Sequence, residues 1–314
     1  MDFKKKIIIP DGHKPPTTRR DFLKYGIIPF AGYVIAPNFL TQILFKNIAL
    51  AADVSGACGG VAGTGYMPFL VFDISTGKTL LEKNADTIVP VASLTKLMTA
   101  IVAHEVVYLA RSITVTDAML AGLPNPNSVP VSAEGQLPQP VSSHFYPKVG
   151  TQYVGLDLLY PLLVQSSNAS AKALAGFTGE GTFVRNMNAK AASLAMADSR
   201  FADTSGISAG NTATAHDIAK LLQYIYFKRP FLFDIGKGMT VENVGFIKVG
   251  DTIDIKNLKN FNEFVDEPDL VGVKNGETTA ARQTMATVWN IHTASGTVPV
   301  AIVVLGSEYR KQAT

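Results

Sequence analysis

Hydrophobic positions along the chain change period several times, and each change marks an element. Phe69 to Ile74 is an apolar run and Lys78 to Lys83 a mixed one, with Ser75-Thr76-Gly77 between them. Short runs of this kind, bounded by turn formers, predict strands at 69–74 and 78–83. After the extended Pro90-Val91-Ala92, the residues Leu94, Leu97, Met98, Ile101, Val102 and Val106 recur three and four apart. That spacing predicts a helix over 93–109. Further helices are expected at 156–165, 169–177, 182–196 and 215–227, with Thr214 and Asp217 as a cap pair for the last. Strands are expected at 270–274, 279–289 and 298–305, and another hairpin within 240–262. Strands at both ends of this body with helices between them define an α/β (α+β) class, an antiparallel sheet covered by helices.

Ahead of the body the pattern is different. Thr18-Arg19-Arg20-Asp21-Phe22-Leu23-Lys24 closely resembles the twin-arginine export motif. Tyr25 to Phe45 follows, largely apolar but broken by Gly26, Pro29, Gly32 and Pro37, and Ala49-Leu50-Ala51 looks like a cleavage box. Residues 1–51 therefore read as an export leader, with the twin-arginine machinery as its partner. An uncleaved anchor is the competing reading, since a stretch of about 20 apolar residues spans a bilayer. The helix breakers and the alanine box favour removal. In both readings the body is exported, to the periplasm or the cell envelope. Residues 52–68 are Gly/Ala-rich and read as a linker, leaving 69–314 as the functional domain. Residues 122–150 hold six prolines among Ser, Gly and Asn. Their place in the chain suggests a loop overhanging a cleft.

Composition narrows the classes. Hydrophobic residues at 47% and charged residues at 17% suffice for a sizeable core. The formal charge of +3 belongs to the leader: residues 1–24 carry seven Lys/Arg against three Asp, leaving 21 basic and 22 acidic residues beyond. Nucleic acid is not expected as a partner. The single cysteine, Cys58, excludes an internal disulfide and a cysteine-built metal site. The five histidines (His13, His104, His144, His216, His292) fit no metal-ligand spacing, and no Gly-x-Ser-x-Gly elbow is present for a Ser-His-Asp triad. Neither a metal nor a cofactor is expected.

Three short polar patches carry the candidate chemistry: Ser93-Leu94-Thr95-Lys96, Ser166-Ser167-Asn168 and Lys274-Asn275-Gly276. Residues three apart on a helix share a face, so the Lys96 amine can reach the Ser93 hydroxyl. A serine hydroxyl is a poor nucleophile until a neighbour removes its proton. Lysine can do so only if burial or a second cation lowers its pKa, and Lys274 is a suitable second cation. The other readings are structural: Ser93 as a helix cap beside a solvated Lys96, Ser166 to Asn168 as a cap between two apolar helices, and Asn275-Gly276 as a hairpin turn.

The order and surroundings of the three patches resemble the serine D-alanyl-D-alanine carboxypeptidases, the low-molecular-mass penicillin-binding proteins, whose superfamily shares a Ser-Lys, Ser-x-Asn and Lys-Thr-Gly trio. The likeness covers roughly residues 69 to 310. It includes Phe72 to Leu80, Val91 to Ala100, Phe183 to Met196, Phe201 to Ile207 and Val300 to Gly306. The resemblance implies a helical subdomain beside the sheet and a serine peptidase acting on peptidoglycan stem peptides, with β-lactam antibiotics as covalent inhibitors. Ser93 would be the acylated nucleophile, Lys96 its base and Ser166 a proton relay. Asn168, Lys274, Asn275, Gly276, Glu277 and Thr278 would line the substrate cleft, with the backbone N–H groups of Ser93 and Glu277 as the oxyanion hole. Arg310 would receive the substrate's terminal carboxylate. Two positions depart from the family pattern: Asn275 stands where Thr or Ser is usual, and Glu277 places an acid beside an anionic substrate. They motivate a non-catalytic wall-binding protein as the rival reading, with a DD-endopeptidase or a β-lactamase as neighbours in chemistry. On these grounds Asn275→Thr is expected to raise the acylation rate.

Overall fold

The computed structural model describes residues 67–107, 109–123, 144–239, 243–244, 247–248, 250, 252–294 and 296–307. The leader, nearly all of the linker, the middle of the 122–150 loop and Arg310 lie outside the described residues.

Five strands form the main sheet: β1 (Phe69–Asp73), β2 (Lys78–Lys83), β9 (Leu270–Thr278), β10 (Arg282–Thr293) and β11 (Gly296–Ser307). Their order is β2-β1-β11-β10-β9, so strands from the two ends of the body lie side by side. β1 pairs antiparallel with β11 through Phe69↔Val304 to Asp73↔Val300, and its four leading residues are buried. A strand covered on both faces needs an unbroken apolar run, which is how Phe69 to Phe72 reads. β2 is the partly exposed edge, and β9 is the other edge. Short pairs complete the strands: β3 (Val89–Pro90) with β6 (Thr212–Ala213), β4 (Ser112–Thr114) with β5 (Gln152–Val154), and β7 (Asn243–Val244) with β8 (Ile247–Lys248).

The helices are α1 (Thr95–Val106), α2 (Asp117–Leu120), α3 (Gly155–Val164), α4 (Asn168–Ala175), α5 (Glu180–Ser193), α6 (Ala215–Lys228) and α7 (Phe231–Lys237). α1 is buried from Thr95 to Ala103 and packs against α3, α5 and α4. Leu94, Met98 and Ile101 have no exposed surface, and each such side chain stabilises the fold by about 1.5–3 kcal/mol through burial. Every residue of α3 is buried, so it serves as a second central helix. α6 is amphipathic: Ile218, Leu221, Leu222 and Ile225 are buried and its N-terminus is capped by Thr214, whose Oγ1 accepts from Asp217 N at 3.1 Å. The Asp217 carboxylate turns instead to Ser199 and Lys220.

The expected helices are all present within a few residues, as are the expected strands, with two differences. β9 does not stop at Lys274 but runs through Asn275-Gly276 to Thr278, and the turn falls on 279–281. Asn275 and Gly276 pair with Met285 and Thr284, so the hairpin signal of an Asn-Gly dipeptide is overridden by a longer ladder. α7, α2 and the short strands β3 to β6 were not expected. α7 is short but marked at both ends, by Pro230 at its start and by Gly238 at φ +82° after its last turn. Among the described residues no helix is long and apolar enough to cross a membrane.

Candidate active site

Ser93 occupies a short 3-10 turn, Ala92–Leu94, that leads into α1. Its hydroxyl does not cap the helix, for which Leu94 is the N-cap residue. The turn is tightly shaped. Ala92 has φ +47°, unusual for a residue with a Cβ. Thr284 Oγ1 donates to Val91 O at 3.1 Å from the neighbouring strand, tying the turn to the sheet. Gly276 of β9 faces the same turn: a Cβ there would lie 2.6 Å from Ser93 N and 2.8 Å from Thr284 Oγ1. Glycine is therefore required here for close approach, not for a bend.

Lys96, one turn after Ser93, is fully buried. Its Nζ lies 2.9 Å from Ser93 Oγ, 2.7 Å from Asn168 Oδ1 and 2.5 Å from Ser205 O. Burial and then the charge of Lys274 push the amine well below the usual lysine range, against a smaller opposing pull from Asp203. In its neutral form the amine keeps two N–H bonds for Asn168 Oδ1 and Ser205 O. Its lone pair is then left to accept the Ser93 proton.

Ser166 and Asn168 stand at the junction of α3 and α4. Ser167 is the structural member of the trio: its Oγ accepts from Ser170 N at 3.1 Å as the cap of α4 and donates to Phe145 O at 2.7 Å. That contact leaves its neighbours free of capping. Ser166 sits at φ +59°, and its buried Oγ has no hydrogen-bond partner among the described residues. A buried hydroxyl without a partner is costly and calls for a ligand or a reacting group.

Lys274 comes from β9 and is also buried. Among the described residues its Nζ donates to neutral acceptors, Asn275 O at 2.7 Å, Asn262 Oδ1 at 3.4 Å and Asn275 Oδ1 at 3.5 Å. Burial lowers its pKa to about 7. Lysine's ordinary value is near 10.5, so the unfolded chain binds more protons than the folded one between about pH 7 and 10.5. The contribution of Lys274 to stability therefore rises with pH across that window, and the full penalty applies below it. Lys274→Met is expected to raise the urea midpoint at pH 6, by an amount bounded at about 4–5 kcal/mol for a shift of this size. The gain should shrink toward pH 10. Equal midpoints for the two proteins at pH 6 would contradict this.

Of the expected cleft residues, Ser93, Lys96, Asn168, Lys274 and Gly276 are brought together. Asn275 points its Nδ2 at Phe261 O at 2.9 Å. Glu277 is exposed on β9, and Thr278 Oγ1 accepts from Ala281 N in the hairpin turn.

Sequence reasoning did not assign roles to several groups that build the site. Asp203 organises the segment that delivers Ser205 O: its Oδ1 accepts from Ser205 N at 2.7 Å and Gly206 N at 2.6 Å, and its Oδ2 from Ser208 N at 2.7 Å. Burial raises its pKa, but these N–H donors outweigh burial and hold the carboxyl low. The Asp-x-Ser-Gly order is a recognisable side-chain turn signature. His144, just after the undescribed part of the loop, is half-buried, and its ring lies 5.0 Å from that of Phe261. Burial and then Lys96 and Lys274 hold its pKa below the ordinary histidine value. Phe145 N donates to Gln165 Oε1 at 2.7 Å, so this end of the loop is fastened beside the Ser166–Asn168 wall. The expectation that the loop overhangs the cleft falls on residues 124–143, which lie outside the described residues.

The architecture is that of the penicillin-binding proteins. Penicillin binding protein 6B from Escherichia coli matches with a TM-score of 0.60 and 25% identity over 78% of this chain and 72% of that one. The family model described as D-alanyl-D-alanine carboxypeptidase (Peptidase S11) matches residues 67–309, and the chain belongs to that family. It is 35% identical over 188 residues to a D-alanyl-D-alanine endopeptidase of Pseudomonas aeruginosa, covering 57% of this chain and 55% of that protein. It is 31% identical over 181 residues to the D-alanyl-D-alanine carboxypeptidase DacC of Escherichia coli, covering 57% and 43%. The chain spans about half the length of the curated relatives it matches.

Proposed function

We propose that the chain is a serine DD-peptidase of the exported cell envelope that cleaves peptidoglycan stem peptides through an acyl-enzyme on Ser93, most simply removing the terminal D-alanine. The observation that carries this reading is the buried Lys96 amine 2.9 Å from Ser93 Oγ, held by two further acceptors and depressed by burial and a second cation. Lys96 takes the Ser93 proton as Oγ bonds to the D-Ala-D-Ala carbonyl carbon. The resulting oxyanion is received by the N–H groups of Ser93 and Glu277. The C–N bond then breaks, and D-alanine leaves as its amine takes a proton through Ser166 from Lys96. Water cleaves the ester, returning the proton to Ser93. Lys274 and the Asn168 amide nitrogen hold the substrate, and Arg310 is proposed to receive the terminal carboxylate. No metal or cofactor enters this sequence of steps. A β-lactam, with its strained amide in the same place, would acylate Ser93 and remain.

The likeness to an endopeptidase of Pseudomonas aeruginosa favours a second specificity, hydrolysis of the D-alanyl cross-link between stem peptides. Incubation with a free pentapeptide and with a cross-linked muropeptide dimer separates the two. Release of D-alanine from the pentapeptide is expected, and exclusive conversion of dimer to monomers would replace the carboxypeptidase reading with the endopeptidase one. Turnover of neither would favour the wall-binding alternative.

A further inference from the structure

Asn262 is buried and its side chain is saturated. Its Nδ2 donates to Leu163 O at 2.8 Å, in the last turn of α3, and to Gly236 O at 3.0 Å, in α7. Its Oδ1 receives Asn275 N and Lys274 Nζ, both at 3.4 Å. Asn260, two residues earlier, also donates to Gly236 O and receives Asn262 N, so the segment is held in register. One carboxamide thus joins the end of the helix that precedes Ser166 to the strand that carries Lys274. The two cleft walls come from residues more than a hundred positions apart in the chain, and the depth and direction of the Lys274 amine depend on this joint.

We propose that Asn262 is a positioning residue for the acyl-transfer site: its carboxamide fixes Lys274 in the cleft through a neutral acceptor and couples that strand to the Ser166 wall. The inference rests on the DD-peptidase reading. An aspartate at this position would keep the shape and the acceptor, lose the donations to Leu163 O and Gly236 O, and add a counter-ion to an amine that has neutral acceptors among the described residues. A carboxylate beside a buried lysine favours the charged form. Among the described residues, the charged or titratable groups that interact with Lys274 are Lys96 from α1 and His144 from the segment before β5, with Asp203 acting on Lys96 from its loop. Fixing the charge on Lys274 also depresses Lys96 more strongly at neutral pH.

The test is the pH dependence of Ser93 acylation by labelled penicillin in the full chain and in Asn262→Asp and Asn262→Ser. Asn262→Asp should move the alkaline limb of the acylation profile upward by about one pH unit or more, a shift a purely structural role would not produce. Asn262→Ser, which cannot span the gap, should lower acylation about tenfold or more at every pH, with a smaller upward shift of the alkaline limb than Asn262→Asp. Should Asn262→Asp not fold, the lysine side-chain resonance of Lys274, followed by NMR through a pH titration of Asn262→Ser and the parent, gives the second measurement. An amine released into a looser, wetter site should titrate higher than in the parent. Parent and Asn262→Asp profiles that superpose after scaling, or a Lys274 titration unchanged in Asn262→Ser, would overturn the proposal. Failure of the parent protein to be labelled would instead overturn the DD-peptidase reading.

Discussion

Lys96→Ala is expected to slow acylation of Ser93 by about 10³- to 10⁴-fold, at the upper end of what a positioned general base contributes. Two costs combine. The hydroxyl loses the group 2.9 Å away that takes its proton, and Asn168 Oδ1 and Ser205 O lose their shared donor. Lys96→Arg should be almost as slow, because a guanidinium does not deprotonate in this pH range and its planar fork does not fit a three-acceptor pocket. Stopped-flow labelling with a fluorescent penicillin measures both. A loss of less than about tenfold in Lys96→Ala would assign the base to another group.

Gly206→Ala is the substitution expected to cost the most stability. Gly206 has φ +85°, and a Cβ built on it would lie 2.0 Å from Ala92 O and 2.9 Å from Thr95 Oγ1. Left-handed backbone costs a residue with a Cβ roughly 1–2 kcal/mol, and overpacking against main chain adds about 1–3 kcal/mol. A total of about 2–5 kcal/mol is expected, read from the denaturant midpoint. Because the obstructed atom belongs to the residue before the nucleophile, acylation should also fall in the fraction that remains folded. An unchanged midpoint would show that the 203–208 segment can move away without consequence.

Much of this site was legible in the chain because its strongest signals are local. Apolar residues at helical spacing from Leu94 to Val106 placed α1, and a Ser just ahead of it and a Lys three residues on came within reach of each other. Lys274, expected as a second cation, is buried and within electrostatic range of Lys96. What stayed hidden depends on contacts between distant segments. Asn275-Gly276 carries a strong local turn signal, but β10 supplies partners for both residues and β9 runs on. Ser93 has the composition of a cap, yet the chain enters α1 through a 3-10 turn pinned by Thr284. Asn262 and Ser205 look ordinary in sequence. Their functions arise from a side chain reaching three elements and from a carbonyl aimed by an Asp203 turn. Asn275 illustrates how the expectation changes. Read as a departure from a Thr or Ser position it suggests impairment, but its amide is hydrogen-bonded to Phe261 O. Asn275→Thr would break that contact, which opposes the rate gain expected from sequence.

The central claim is that Ser93 is activated by Lys96 to form a covalent acyl-enzyme. Intact mass of the purified protein after incubation with benzylpenicillin, followed by peptide mapping, tests it most directly. One penicilloyl group on the peptide containing Ser93, absent in Ser93→Ala, is the predicted result. An unmodified protein, or an adduct that survives in Ser93→Ala, would contradict it.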